Sequence, residues 1–412
     1  MPGLVPGAAW ATLDDLEPAT NKLHSTVSRV IATANFRHLG NAALAARITK
    51  TRAASPGVTC TVNTQYFTFG MNNVVFKITF SDGLIWIARI CHSPGRGSDG
   101  NTSHRTSMLS EIATLKTLQK QTTIPVPDVY TFETSTSNAF GYPYMLMKCL
   151  EGQMLSSTAA RHVPVEYHPH VARQLANVMF QLQNVEFNQL GKIWCGENCD
   201  KPPQIIPYDD TYTEATLPLT SLEWFYKERQ DQNRKALEAH AEDPEWRTAC
   251  WILKSAIAHI VAEDKLHGPF PLCHFDLHYG NLLFDDAFNL TGVLDWSGAG
   301  TAPVERLAVS PEFITFPGMT DEQNQVIIDF RNRVRDDLAD LEAKARQADP
   351  VLISKTLVSA ILGTERADII HRCTYSFPHR ALWDGRLVAE LIYKDAVSWE
   401  QLVAVYGHSD VY

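Results

Sequence analysis

Residues 272–285 read Leu272-Cys-His274-Phe-Asp276-Leu-His278-Tyr-Gly-Asn281-Leu-Leu-Phe-Asp285, and Gly292-Val-Leu-Asp295-Trp296 follows shortly after. The pattern is H-x-D-x-x-x-x-N, with a second Asp fourteen residues beyond Asn281. Apolar runs on both sides of Asp285-Asp286 predict two short strands joined by a turn. Asp276 then falls in a loop, Asn281 at the head of the first strand and Asp295 at the end of the second.

These residue types at this spacing suit phosphoryl transfer, which depends mainly on positioning and charge neutralisation. A loop Asp can accept the proton of an attacking hydroxyl. An amide oxygen and a carboxylate across a short hairpin can share Mg²⁺, which favours hard oxygen ligands. Asp276 is thus the candidate base, and Asn281 and Asp295 are candidate metal ligands. The plain alternative is a surface hairpin whose turns favour Asp and Asn. A metal hydrolase using His274, Asp276 and His278 would need those histidines one turn apart on a helix, and Gly280 with the adjoining strand argues for a loop.

Outward from this island the chain has two characters. Residues 20–50 read as helical, with Leu23, Val27, Val30 and Ile31 at helical spacing. From Val58 to Ile90 three strand-like runs, Thr59–Phe69, Val74–Phe80 and Leu84–Ile90, are separated by Gly70-Met71-Asn72-Asn73 and Ser81-Asp82-Gly83, which predicts an antiparallel meander. A polar loop spans His92–Thr106, a helix spans Ser107–Gln121, and a strand pair lies within Thr131–Leu150 before Glu151-Gly152 breaks the pattern. Beyond it, helices are expected over 167–186, 219–240, 245–263, 321–347, 351–370 and 384–405. The expected organisation is a helical extension over 1–55, a nucleotide-binding lobe over 56–148 and a catalytic lobe over 149–412.

Composition narrows the class. Of 412 residues, 45% are apolar and 20% charged, which excludes a disordered or fibrous chain and suggests two or three structural units. With 36 basic and 46 acidic residues the net charge is −10, which argues against nucleic-acid and anionic-membrane partners. The segment Met1–Pro18 does not read as a signal peptide, and no apolar run approaches the roughly 20 residues of a membrane helix. The eight cysteines form no paired framework. Cys195 and Cys199 read as loop thiols, with a zinc or disulfide role as the alternative. The expected setting is cytoplasmic and reducing.

The His274–Trp296 segment resembles the catalytic loop of the aminoglycoside phosphotransferase and choline kinase group, and Leu294-Asp295-Trp296 is similar to the strand end that follows it there. That resemblance implies an α+β, two-lobed protein-kinase-like fold with a small antiparallel β-rich N-lobe and a larger, mainly α-helical C-lobe. It implies ATP and Mg²⁺ as cofactors, Asp276 as catalytic base, and Asn281 and Asp295 as magnesium ligands, with His274 bracing the loop. His278 orients the substrate or caps the turn. Gly70 and Asn73 fall where the family covers the ATP phosphates, Arg89 where kinases usually carry a Lys, and Glu111 where the family's helix carboxylate pairs with it. Met147 and Cys149 fall on the hinge that meets the adenine edge. In Thr301–Pro311, Glu305 either replaces a family carboxylate or forms a surface pair with Arg306.

The implied activity is ATP- and Mg²⁺-dependent transfer of the γ-phosphoryl group to a hydroxyl of a small-molecule acceptor. The acceptor site is expected between 210 and 260 and on the C-terminal helices, with Glu223, Trp224, Tyr226 and Asp384 as candidates. A protein kinase is disfavoured by D-W in place of D-F-G. A nucleotide-binding scaffold with weak or no catalysis is the alternative from another class.

Overall fold

Alternation along three strands builds the first sheet. In the computed structural model, which describes residues 10–16, 22–51, 57–70, 72–92, 98–208, 218–315, 318–348, 356–374 and 377–411, β1 is Cys60–Phe69, β2 Asn73–Phe80, β3 Ile85–Cys91, β4 Val129–Glu133 and β5 Tyr144–Lys148. They form one antiparallel sheet in the order β1-β2-β3-β5-β4. The meander is as expected: the Gly70 N–H donates to Asn73 O at 2.9 Å, and Gly83 takes φ +87° in the second turn. Met71 of the first turn, Pro56 and residues 93–97 of the polar loop lie outside the described residues.

The two faces of this sheet differ because side chains alternate with period two. Val74, Phe76, Ile78 and Phe80 of β2 and Trp86, Ala88 and Ile90 of β3 point to one face and are buried. Helices α1 (Lys22–Thr33) and α2 (Phe36–Thr51) bring Val27, Val30, Leu39 and Ala43 into the same core. Each large apolar side chain so buried stabilises the fold by about 1.5–3 kcal/mol. The helix expected over 20–50 is therefore two, because Asn35 caps the second by accepting from the His38 N–H at 3.1 Å. Ahead of them, Ala11 forms an antiparallel bridge with Phe67 of β1. The opposite face of the sheet carries Asn73, Val75, Lys77, Ile87 and Arg89.

The chain groups into two units. The first runs to Leu155 and also takes in Ile193–Gln204 and Gly280–Gly298. Besides the five-stranded sheet it holds helix α3 (Ser98–Gln121) and a small sheet of Leu282–Phe284, Leu290–Val293 and Gln153–Met154. The second unit is mainly helical. Helix Asp321–Ala348 packs on His168–Gln183, and Ala381–Tyr393 packs on Pro244–Ser255. At its centre, strand Phe270–Cys273 lies between Glu186–Phe187 and Gly300–Thr301.

Several helical expectations need correction: α3 already starts at Ser98, within the stretch expected to be a polar loop up to Thr106, and the helix expected over 245–263 breaks into Pro244–Ser255 and Ile257–Ile260. Of the helix expected over 351–370, residues 351–355 lie outside the described residues, Val358–Ala360 is a single 3₁₀ turn, and the α-helix starts only at Glu365, after Gly363 at φ +78°. The helix expected over 384–405 is split: Lys394 takes φ 51°, and Ser398 caps a new helix, Trp399–Tyr406. Among the described residues no helix is long and apolar enough to cross a membrane.

Gly152 has φ +121°, and a Cβ there would lie 2.2 Å from Thr291 Oγ1 and 3.0 Å from the Phe284 carbonyl. Only glycine lets this strand approach the 282–293 hairpin so closely. Gly152→Ala is expected to lower stability by at least the roughly 1–3 kcal/mol of a strained backbone residue, read as a lower urea midpoint. An unchanged midpoint would show that the hairpin gives way freely.

Candidate functional site

The first unit contains a cavity of about 340 Å³. Gly70, Asn73, Arg89, Glu111, Met147, Cys149, Asn281 and Asp295 all line it. These positions span more than 200 residues of chain and meet because β2, β3, β5, α3 and the 282–293 hairpin each turn one edge toward the same space.

Arg89 is the electrostatic centre. It lies on β3, an interior strand of the sheet, opposite Val75 on one side and Met145 on the other. Its Nη1 donates to Glu111 Oε1, and its Nη2 reaches Asp295 Oδ1 at 3.2 Å. With the Asn73 amide oriented to satisfy both of its atoms, Asn73 Oδ1 accepts from Arg89 Nη2 at 2.9 Å and Nε at 3.2 Å. Burial opposes the charge on Arg89, but Glu111 and Asp295 outweigh it, so its pKa rises above the ordinary value. Burial raises the pKa of Glu111, Arg89 pulls it back, and Asp295 adds to the upward push. Such a pair persists because removing one partner strands the other charge in a low dielectric.

Asp295 differs from Glu111 in exposure. Its side chain is 49% exposed against 5% for Glu111. It takes φ 56°, a left-handed conformation that Asp tolerates better than most residues, and its Oδ1 accepts from Ser297 Oγ at 2.8 Å. The Leu294 N–H donates to the Asn281 carbonyl at 2.8 Å, which ties the head of one hairpin strand to the end of the other. Asn281 and Asp295 thus offer an amide oxygen and a carboxylate to one cavity. That donor set fits Mg²⁺, which commonly takes one or two protein oxygens together with substrate phosphates. Among the described residues no group of three or more His, Cys, Asp or Glu gathers as a metal site.

Apolar side chains also line the cavity, Val75, Ile87, Met147, Met154 and Leu283 among them. The hinge expectation needs one adjustment there, since the Lys148 N–H already donates to Asp128 O at 2.8 Å. Burial raises the pKa of Cys149, against the pull of Lys77. Cys195 and Cys199 are buried free thiols, and the Cys199 thiol donates to Leu109 O at 3.5 Å. Burial pushes Cys199 up to about 11.

Asp276 belongs to the second unit, in the loop after strand Phe270–Cys273. Its N–H donates to Nδ1 of buried His274 at 3.2 Å, and its Oδ2 lies 3.4 Å from His278 Nε2. Two residues that sequence reading missed hold this loop. Arg306 is buried, places its guanidinium 5.3 Å from the Phe275 ring centre, and donates to the Phe275 carbonyl at 3.0 Å. Ser310 Oγ donates to the Leu277 carbonyl at 2.6 Å. Glu305 is not half of a surface pair: it is fully buried and accepts from the Ala262 N–H.

Of the acceptor candidates, Glu223 caps its own helix and Asp384 is buried against Arg372 at 3.2 Å, so both serve structure. Trp224 stacks on Phe275 with ring centres 6.2 Å apart. Tyr226 is exposed, and residues 210–217 of the expected acceptor region lie outside the described residues.

Glu312 is the other missed group, with no motif to mark it. It is buried and accepts from the Ala159 N–H, and its second carboxyl oxygen has no partner. Burial pushes its pKa up to about 7, against amides at Ala159 and Tyr279 and the nearby His278. An acid whose folded pKa exceeds its unfolded value adds stability below the unfolded pKa and loses it as pH rises through the folded one. From an ordinary 4.5 to about 7 that is on the order of 3 kcal/mol. Glu312→Gln is expected to melt increasingly above wild type as pH rises from 5 to about 8, and a pH-independent difference would show the carboxyl to be ordinary.

Comparison with known proteins identifies the family and the fold. A profile of the phosphotransferase enzyme family matches residues 65–310, which includes Gly70, Asn73, Arg89, Glu111, Met147, Cys149, Asp276, Asn281 and Asp295. A subtelomeric hrmA-associated cluster protein of Aspergillus fumigatus is 29% identical over 157 residues, covering 38% of this chain and 29% of that protein. Clavilactone A biosynthesis cluster protein Y of Ampulloclitocybe clavipes is 23% identical over 263 residues, covering 60% of this chain and 63% of that protein. The matches thus span less than two thirds of either relative. A solved structure from Ralstonia eutropha, provisionally assigned as an aminoglycoside phosphotransferase, superposes with a TM-score of 0.50 at 12% identity, covering 88% of this chain and 98% of that one. The fold is the kinase-like α+β fold, with a sheet-rich N-terminal part and a mainly helical C-terminal part, and the chain belongs to the phosphotransferase enzyme family.

Proposed function

We propose that the protein transfers the γ-phosphoryl group of ATP to a hydroxyl of a small-molecule acceptor in a Mg²⁺-dependent reaction. The observation that carries this reading is the single cavity in which Arg89, Glu111, Asn281 and Asp295 meet beside apolar walls. Arg89 supplies a planar, permanently charged fork for phosphate oxygens, and Glu111 with Asn73 fixes its orientation. Asn281 and Asp295 would hold Mg²⁺, which neutralises phosphate charge when bound. The apolar walls, with Met147 and Cys149 among the lining residues, receive the base.

Asp276 takes the proton of the acceptor hydroxyl as its oxygen attacks the γ-phosphorus, and the bond to the β–γ bridging oxygen breaks to release ADP. His274 holds the backbone of that loop, and His278 steadies the carboxylate. The net charge of −10 makes nucleic acid an unfavourable partner, and eight free cysteines suit a reducing, cytoplasmic setting.

An ATP-consumption screen over alcohols, amino sugars and amino acids, with Asp276→Asn as the blank, tests the reading. Asp276→Asn is expected to lower turnover by orders of magnitude while ATP affinity stays near wild type. Turnover above a modest fraction of wild type would remove Asp276 as the base. Asp295→Ala is expected to abolish the Mg²⁺ dependence of ATP affinity, and Asn281→Ala to weaken it less, because the charged ligand contributes more. Wild-type behaviour in both variants would move the metal elsewhere. Arg89→Ala and Glu111→Gln should be strongly non-additive in kcat/KM, since they remove one unit. Simple additivity would separate them.

A further inference from the structure

The cavity has a wall that comes from outside the family-matched region. Trp10 lines it, although the profile match begins only at residue 65. The arm carrying Trp10 is latched to β1 by a bridge in which the Ala11 N–H donates to Phe67 O at 2.8 Å and the Phe67 N–H donates to Ala11 O at 2.9 Å. Residues directly opposite in an antiparallel pair share a face. Phe67 is buried in the core with α1 and α2, and Ala11 packs against that core. Period two then turns Trp10 to the opposite face, where the cavity lies.

The position along the cavity is also defined. Lys77 Nζ sits over the Trp10 ring, 5.4 Å from its centre. Lys77 pairs with Ile87, and Ile87 pairs with Met147, so these form one row across the sheet. Arg89 lies two residues further along β3, about 7 Å away at strand spacing. The indole therefore stands over the Lys77–Ile87–Met147 row of the cavity, displaced along the strands from Arg89.

We propose that Trp10 is a nucleotide-binding residue that closes one side of the pocket, presenting its ring to the purine of the nucleotide. This rests on the nucleotide reading above. Base–aromatic stacking is tolerant of base identity, so the arm contributes affinity for the nucleoside part and none for the phosphates.

The test measures binding of ADP, GDP and tripolyphosphate to the full chain by calorimetry, for wild type, Trp10→Leu and Trp10→Phe. Trp10→Leu keeps apolar bulk and removes the aromatic face; Trp10→Phe keeps a face. For whichever purine nucleotide wild type binds more tightly, Trp10→Leu is expected to weaken binding roughly 5- to 50-fold, with Trp10→Phe recovering most of it. Tripolyphosphate affinity should stay within about twofold in both variants. Unchanged nucleotide affinity in Trp10→Leu overturns the proposal, as does a parallel loss of tripolyphosphate. Tighter nucleotide binding would show instead that the indole obstructs the pocket. If wild type binds tripolyphosphate and no nucleotide, the nucleotide reading fails and this proposal with it; a nucleotide-binding wild type with a silent Trp10→Leu sinks this proposal alone.

Discussion

A buried guanidinium must be compensated, and much of the first unit is arranged around that need. Arg89 leaves the interior of a sheet whose other face packs an apolar core, so its charge finds its partners on the side of the cavity. Glu111 meets it from α3, Asn73 from the neighbouring strand, and Asp295 from a hairpin 206 residues away in sequence. Each partner comes from a different element, so the charge fixes the mutual placement of strand, helix and hairpin. The exposure of Asp295 beside the burial of Glu111 divides the labour: one carboxylate balances the arginine out of solvent, and the other reaches it while still facing the cavity.

In the second unit the same logic is carried by hydrogen bonds to the backbone. The loop bearing Asp276 has short connections and little regular structure of its own. Its carbonyls at Phe275 and Leu277 are taken by Arg306 and Ser310, and its amide at Asp276 by His274. For Asp276, the base of the proposed reaction, geometry comes before pKa. Here the side chain is left half exposed while its backbone is held from three sides.

The meander was legible because turn residues interrupt β-rich runs, and each expected strand differs from the observed one by a residue at most at either end. The cavity residues were legible because they carry a motif or stand at a fixed offset from one. Helix ends near Gly363 and Lys394 were not, since periodicity continues through a break that backbone conformation alone imposes. Arg306 and Glu312 were missed for a related reason. Arg and Glu in a polar stretch read as surface charges, and only tertiary placement turns them into a loop brace and a buried acid. Trp10 gave no signal at all, because an arm with a single bridged residue has no period to detect.

The discontinuity of the first unit has a consequence for biosynthesis. The sheet, its covering helices and α3 are encoded early, yet the unit also requires Gly280–Gly298. On a ribosome adding about 5–20 residues per second, the 206 residues between Arg89 and Asp295 take roughly 10–40 s to emerge. During that interval the nascent unit holds its arginine with Glu111 and Asn73 alone, and the space destined for the hairpin is open. Completion of the pocket is therefore a late, post-sheet event in the life of the chain. A sequence change that slows docking of the hairpin would lengthen exposure of an apolar cavity to the folding machinery without altering the finished protein.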